Sequence, residues 1–183
     1  VTMEIQDIPA IVSAAQSMNV AVALDNTYSA GVMFDAFSYG VDVSMQALTK
    51  YVGGHSDLLL GAVSARDDSA YSKLGPVYQQ LGLAVSPDDC GLALRGIQTL
   101  GVRLDALETS TLQIVNWLAK HPLIEKVLHP ALPTCPGHEI WKRDFSGSSS
   151  VFSFVFKNYI SVAQAETFIN SLEVFRIGMS WGG

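Results

Sequence analysis

The sequence predicts an α/β protein with a mostly parallel sheet, followed by part of a smaller α+β unit. Short, continuous apolar runs alternate with segments of helical periodicity, and polar residues cluster directly after the runs. Apolar runs of this kind are typical of strands that are buried on both faces of a parallel sheet. The pattern changes near residue 120, so we assign residues 1–110 to the larger unit and residues 111–183 to the smaller C-terminal one.

The first helix and the first strand are predicted within residues 7–24. Asp7 suits the N-cap position and Pro9 the first turn, and apolar residues then recur at helical spacing. Residues 20–24 form a continuous apolar run, which predicts a strand that ends at Asp25. Asp25 is therefore expected at the carboxyl end of a strand, where open α/β sheets bind ligands.

The pattern repeats over the next forty or so residues of the chain. Residues 32–39 predict a helix, and residues 41–48 predict a strand that ends at Thr49 and Lys50. Residues 58–63 predict a third strand. We therefore expect the side chains that follow these strands to line one edge of the sheet.

A long helix is predicted to link the two units. Ser86 and Pro87 suit its N-cap and first position. The helical pattern continues to about residue 120, and we expect Gly96 and Gly101 to bend the helix. The smaller unit is then predicted to contain strands at 124–128 and 151–156 and helices at 138–143 and 162–172.

Composition excludes several classes of function. The formal net charge of −6 argues against a nucleic-acid partner, because phosphates require a basic surface. No apolar run approaches the ~20 residues of a membrane span. Cys90 and Cys135 have no CxxC partner and the four histidines show no ligand spacing, so we expect no metal site and a reducing, cytoplasmic location.

The strand ends at Asp25 and Lys50 carry the candidate chemistry. A lysine can form a Schiff base with an aldehyde, and a carboxylate can hold a pyridine nitrogen in its protonated form. The hydroxyl of Thr49 offers a partner for a phosphate oxygen. Taken alone, an aspartate after a strand is more often a turn former, and a lone lysine is usually a solvated surface charge.

Longer segments decide between these two interpretations, and they follow one another along the whole chain: residues 23–28 (ALDNTY), 43–51 (VSMQALTKY), 53–57 (GGHSD), 96–103 (GIQTLGVR), 127–130 (VLHP), 138–145 (HEIWKRDF) and 180–183 (SWGG). Together they resemble the Cys/Met metabolism (transsulfuration) family of pyridoxal-phosphate enzymes. The lysine segment has Ala47 where many relatives have a phosphate-binding serine, and in this it resembles the bacterial cystathionine β-lyases.

The resemblance implies an aspartate-aminotransferase-like fold (PLP fold type I) and pyridoxal 5′-phosphate as the cofactor. It implies that Lys50 carries the cofactor and acts as the catalytic base. Asp25 would be the partner of the pyridine nitrogen and Thr49 a ligand of the phosphate. Ser180 and Trp181 match the segment that helps to hold the substrate carboxylate.

The implied reaction is a β-elimination by a carbon-sulfur lyase of methionine biosynthesis. Cystathionine, or a cysteine conjugate, would give a thiol, pyruvate and ammonia, and the thiol from cystathionine is homocysteine. Lys50 would remove the Cα proton and then protonate the departing sulfur. The alternatives are a γ-lyase, a γ-synthase or a methionine γ-lyase, and a protein of this fold with a binding or regulatory role.

The resemblance also carries expectations about the whole protein. Family members are usually dimers or tetramers, so we expect a homo-oligomer that binds a small amino-acid substrate. The phosphate loop, the aromatic that stacks on the ring and the carboxylate-binding arginine of the family have no counterpart in this chain. We therefore expect a partial sequence that is inactive by itself.

Overall fold

The computed structural model describes residues 2–182, which form an α/β arrangement with two small sheets. Within this range no helix is long and apolar enough to cross a membrane. A short 3-10 helix, Thr27–Ser29, follows the first strand. The strands are β1 (Ala23–Asp25), β2 (Val43–Ala47), β3 (Gly61–Ala65), β4 (Ile124–Leu128) and β5 (Ser153–Phe156). The α-helices are α1 (Ile8–Ser17), α2 (Asp68–Gln80), α3 (Pro87–Gln98), α4 (Leu100–Leu118), α5 (His138–Asp144) and α6 (Val162–Asn170).

The larger sheet brings the two candidate strand ends together. β1 pairs with β2 in parallel, whereas β2 pairs with β3 in an antiparallel manner, so the three-stranded sheet is mixed. Asp25 lies opposite Met45 in the parallel register. The chain therefore leaves β1 and β2 at the same edge of the sheet, which places Asp25 beside the segment that leads to Lys50.

The first strand is shorter and more exposed than the apolar run predicts. β1 begins only at Ala23, and Val20 is 55% exposed. Among residues 2–182, β1 pairs with β2 alone and is the edge strand of its sheet. The prediction of a strand over 20–24 that is buried on both faces is therefore wrong, because the strand covers only residues 23–25 and its first and last residues are exposed.

The third strand lies three residues later than predicted, at Gly61–Ala65. The hydroxyl of Thr49 accepts a hydrogen bond from the Leu60 amide at 3.0 Å and donates one to the Leu60 carbonyl at 3.2 Å. The Leu60 carbonyl also accepts a hydrogen bond from the Thr49 amide at 3.2 Å, so both backbone groups of Leu60 are bonded to Thr49 and not to a residue of β2. The sheet ladder between β2 and β3 consequently starts at Gly61.

The helix predicted at 32–39 is wrong, because this segment forms a series of turns. Ala30 and Gly31 have φ values of 54° and 71°, so the backbone turns sharply before the segment begins. The side chain of Asn26 then donates a hydrogen bond to the Phe34 carbonyl at 3.0 Å. Because this buried carbonyl has a side-chain partner, it needs no helical one.

Both predicted helix starts are confirmed. The Asp7 carboxylate accepts a hydrogen bond from the Ala10 amide at 3.1 Å, and the Ser86 hydroxyl accepts one from the Asp89 amide at 3.0 Å. The long helix predicted to follow is two helices, because Thr99 leaves the helical region with φ −112° and ψ 5°. The sequence interpretation also missed α2, which has no buried residue and therefore only a weak apolar stripe.

The strands and helices of the smaller unit lie within about two residues of their predicted bounds. β4 and β5 pair in an antiparallel manner, and Val115 of α4 lies in one buried cluster with Ile124 and Val127 of β4. The three alternating phenylalanines of the β5 segment pack against this cluster, as the period-two pattern predicts: Phe152, Phe154 and Phe156. α4 thus runs from the lysine segment of the larger sheet to the core of the smaller sheet.

Candidate active site

Asp25 ends β1 and is oriented by the residue two positions later. Its Oδ1 accepts a hydrogen bond from the Thr27 amide at 3.0 Å and another from the Thr27 hydroxyl at 2.6 Å. The carboxylate itself is exposed at the edge of the sheet. One carboxylate oxygen is therefore fixed by the protein, and the other is free of partners among the described residues.

Thr27 joins the ends of the two parallel strands. Its hydroxyl donates to Asp25 and accepts a hydrogen bond from the Ala47 amide at 2.9 Å. Thr27 is buried, so this hydroxyl is held in one geometry. The sequence analysis did not assign Thr27 a role, although an aspartate carboxylate commonly accepts a hydrogen bond from the backbone amide two residues later.

Lys50 lies in a tight turn that follows β2. The Lys50 amide donates to the Ala47 carbonyl at 3.1 Å, and the Lys50 carbonyl accepts from the Gly54 amide at 2.9 Å. The amine of Lys50 donates a hydrogen bond to the Ser180 hydroxyl at 2.7 Å. These two residues are 130 positions apart in the chain, so the pairing is created by the fold.

A cluster of aromatic rings lies beside the amine of Lys50. The Lys50 Nζ lies 4.9 Å from the ring centroid of Trp181, within the range of a cation–π contact. Tyr28 stacks on Trp181 with ring centroids 4.3 Å apart, and Tyr51 packs at 5.8 Å. The structure thus brings Ser180 and Trp181 to Lys50. It adds Tyr28 and Tyr51, which the sequence analysis did not place in the site.

The hydroxyl of Thr49 binds the residue that precedes β3. Its hydroxyl is already engaged with the backbone of Leu60, both as donor and as acceptor. Thr49 and Asp25 nevertheless line the same cavity of about 420 Å³, together with Ala47. A phosphate oxygen at Thr49 would therefore have to compete with the Leu60 carbonyl for the hydroxyl proton.

His55 contacts the backbone of the turn that carries Lys50. Its Nδ1 lies 2.7 Å from the carbonyl oxygen of Gly53. Two residues later Asp57 pairs with Arg95 at 2.6 Å, and the Arg95 guanidinium holds the pKa of the Asp57 carboxyl below its usual value. Both residues stabilise the loop after the lysine. No group of three or more metal-ligating side chains occurs among residues 2–182.

Comparison with known proteins agrees with the geometry at the strand ends. The family model described as "Cys/Met metabolism PLP-dependent enzyme" matches residues 1–183. The chain belongs to this family. Its fold is accordingly that of the PLP-dependent transsulfuration enzymes, and pyridoxal 5′-phosphate is the cofactor on which the family depends.

Individual relatives within the family include several lyases. The chain is 42% identical to the cystathionine β-lyase of Escherichia coli strain K12 and 43% identical to that of Haemophilus influenzae, in each case over 185 aligned positions and 100% of this chain. These alignments cover 47% and 46% of the two relatives, so the chain spans about half of their length.

The fold has a close counterpart among solved structures. The crystal structure of cystathionine γ-synthase from Xanthomonas oryzae superposes with a TM-score of 0.94 at 32% sequence identity. The superposition covers 100% of this chain and 46% of that one. The backbone described here is therefore common to transsulfuration enzymes whose names denote different reactions.

Replacing Thr27 with valine is expected to destabilise the fold by about 1–3 kcal/mol, because it leaves the half-buried Ala47 amide without this acceptor. Urea unfolding would show the loss as a lower midpoint with an unchanged m-value. Thr134→Val is the matched control, since Thr134 is exposed and makes no side-chain hydrogen bond within the described residues. Equal stability of the two variants would contradict the bridging role of Thr27.

Proposed function

We propose that this chain supplies the lysine-bearing portion of a pyridoxal-phosphate-dependent carbon-sulfur lyase that acts on cystathionine. The proposed reaction is a β-elimination that yields homocysteine, pyruvate and ammonia. One observation carries the proposal: Asp25 and Lys50 follow neighbouring parallel strands at one sheet edge. The similarity to two cystathionine β-lyases supports the choice of substrate.

The donor set at this edge fits pyridoxal phosphate. Lys50 offers a half-buried primary amine, and Asp25 offers an exposed carboxylate oxygen that has no partner among residues 2–182. Thr49 adds a hydroxyl beside Asp25 in the same cavity. When bound, pyridoxal phosphate supplies an electron sink for the charge that develops at the substrate Cα. The residues of this chain supply orientation and proton transfer.

Lys50 is proposed to attach the cofactor and to act as the base. Its amine would remove the proton at the substrate Cα and deliver it to the departing sulfur atom. While the amine is not attached to the cofactor, the Ser180 hydroxyl accepts its hydrogen bond, as the 2.7 Å contact shows for the free side chain. Trp181 shields the same amine from solvent on one face.

Asp25 is proposed to hold the proton at the ring nitrogen. A carboxylate can do this only if it stays charged and correctly aimed, and Thr27 aims it through two hydrogen bonds. Ser180 and Trp181 are proposed to help bind the substrate carboxylate. Thr49 is proposed to contact the phosphate, with the Leu60 carbonyl as its competing partner.

The proposal includes expectations about the whole protein. We propose that residues 1–110 belong to the cofactor-binding domain and residues 111–183 to the smaller C-terminal domain, because the two sheets lie on either side of α4 in the chain. We also propose a cytoplasmic homo-oligomer, either a dimer or a tetramer. Sedimentation of the full-length protein would test its oligomeric state.

The first experiment is product analysis with the full-length protein and cystathionine. We expect pyruvate and homocysteine as products, because β-elimination cleaves the bond between sulfur and the three-carbon moiety. We also expect borohydride reduction, followed by peptide mapping, to leave the cofactor on Lys50. Formation of 2-oxobutyrate would instead identify a γ-elimination. Absence of cofactor from Lys50, or tight partner binding with negligible turnover, would overturn the enzymatic assignment.

A further inference from the structure

The turn that carries Lys50 does not satisfy all of its own carbonyl groups. Within it, the Ala47 carbonyl accepts from the Lys50 amide, that of Leu48 from the Gly53 amide and that of Lys50 from the Gly54 amide: 3.1, 2.7 and 2.9 Å, respectively. The next two carbonyls, of Tyr51 and Val52, belong to residues that are 1% and 5% exposed. Buried carbonyls need a donor from elsewhere.

Arg103 of α4 supplies that donor. Its Nη1 donates to the Tyr51 carbonyl at 2.7 Å, and its Nη2 donates to the Val52 carbonyl at 3.2 Å. Nη2 also donates to the Gly96 carbonyl at 2.8 Å, and Nε donates to the Thr99 hydroxyl at 3.0 Å. One rigid, planar cation therefore links the lysine turn to the junction of α3 and α4.

The charge of Arg103 is not used in an ion pair. Within residues 2–182 no carboxylate lies within salt-bridge distance of its guanidinium. Burial lowers the pKa of Arg103, but a guanidinium in a protein keeps its proton. Its donors face backbone carbonyls and one hydroxyl, which is the arrangement of a backbone clamp.

Two glycines leave the space that this clamp requires. A Cβ atom on Gly96 would meet the Val52 and Gly53 carbonyl oxygens, so α3 can approach the lysine turn this closely only with glycine at this position. A Cβ atom on Gly54, where φ is +67°, would overlap the Arg103 guanidinium. The packing of α3, the Lys50 turn and Arg103 therefore leaves no room for a side chain at either glycine.

We propose that Arg103 is a positioning residue that fixes the backbone of the Lys50 turn. It thereby keeps the Lys50 amine within hydrogen-bond distance of the Ser180 hydroxyl. The positioning role rests on the proposed function, in which Lys50 is the reacting amine. Arg103 does not touch the amine itself. Its effect is transmitted through the Tyr51 and Val52 carbonyls, which immediately follow Lys50 in the chain.

Hydrogen–deuterium exchange and steady-state kinetics of the full-length Arg103→Met protein test this role. In the apoprotein we expect the amides of residues 50–54 to exchange about tenfold faster or more, because the turn loses bonds to a charged donor. In the holoenzyme we expect kcat to fall about 100-fold, as a misplacement of about 1 Å can cause, while KM changes less than threefold. Arg103→Lys should lie between, because an ammonium lacks the planar fork.

Arg95→Met is the matched control, since Arg95 lies on α3 and pairs with Asp57 of the same loop without touching the turn carbonyls. Faster exchange throughout β4 and α4 would indicate general destabilisation and overturn the clamp. Exchange at residues 50–54 that matches Arg95→Met would also overturn it, as would faster exchange with unchanged kcat. If the wild-type protein carries no cofactor on Lys50, the proposed function fails, whereas the exchange data still decide the clamp.

Discussion

Lys50→Ala is expected to abolish elimination of cystathionine by the full-length protein. The variant lacks the amine that would attach the cofactor and move the Cα proton, so turnover should fall to the background rate of free pyridoxal phosphate. The fold should remain intact, because the Lys50 side chain is half-buried and its one hydrogen bond within the described part of the chain joins it to Ser180. Pyruvate release and far-ultraviolet circular dichroism measure the two effects.

Lys157→Ala is the matched control for this change. Lys157 forms an exposed ion pair with Glu125 at 2.6 Å, and such surface pairs contribute only about 0–1 kcal/mol to stability. We expect its turnover to equal that of the wild-type protein. Turnover of Lys50→Ala that exceeds the cofactor background would refute the role of Lys50 as the reacting amine.

Asp25→Asn is expected to lower kcat by about 100- to 1,000-fold, the range seen when one preorganised electrostatic group is removed from an active site. Asparagine keeps an oxygen that can accept the Thr27 hydrogen bonds, but it has no charge to hold a proton at the ring nitrogen. The variant therefore tests the charge of Asp25 separately from its hydrogen bonds with Thr27. Single-turnover kinetics would show whether the loss lies in the proton-transfer step.

Asp35→Asn controls for the loss of an exposed carboxylate. Asp35 lies in the series of turns at residues 32–39 and not at a strand end, and its carboxylate accepts a hydrogen bond from the Ser38 amide at 3.3 Å. We expect no change in kcat for this variant. An Asp25→Asn protein with a wild-type rate would show that the ring nitrogen has another partner, outside this chain.

Local sequence signals predicted the helix starts well, because caps act within three residues. Asp7 and Ser86 bind the backbone amides that their sequence positions predict. Periodicity likewise predicted the phenylalanines of the smaller sheet. The signal failed at residues 32–39, where Asn26 satisfies a backbone carbonyl eight positions away. The apolar spacing of a segment does not show that a side chain outside it binds one of its backbone carbonyls in place of a helical amide.

In the candidate site, too, the sequence predicted local features but not contacts between distant residues. The positions of Asp25 and Lys50 followed from strand ends and from segments that resemble a known family, and the parallel pairing of β1 with β2 agrees with the expected placement. Their catalytic roles stay predictions. In the sequence, Arg103 and Tyr28 stand out only as members of two segments that resemble the family. Their contacts with the lysine turn and with Trp181 join elements far apart in the chain.

By itself the sequence determined the family, the fold class and the chemical groups available, because these depend on residue types and on spacing along the chain. Only the tertiary structure decided which groups meet: Lys50 with Ser180 across 130 positions, and Arg103 with the carbonyls that follow Lys50. A hydrogen bond requires placement to within a few tenths of an ångström. That placement arises from the packing of whole helices and strands, which no single segment encodes.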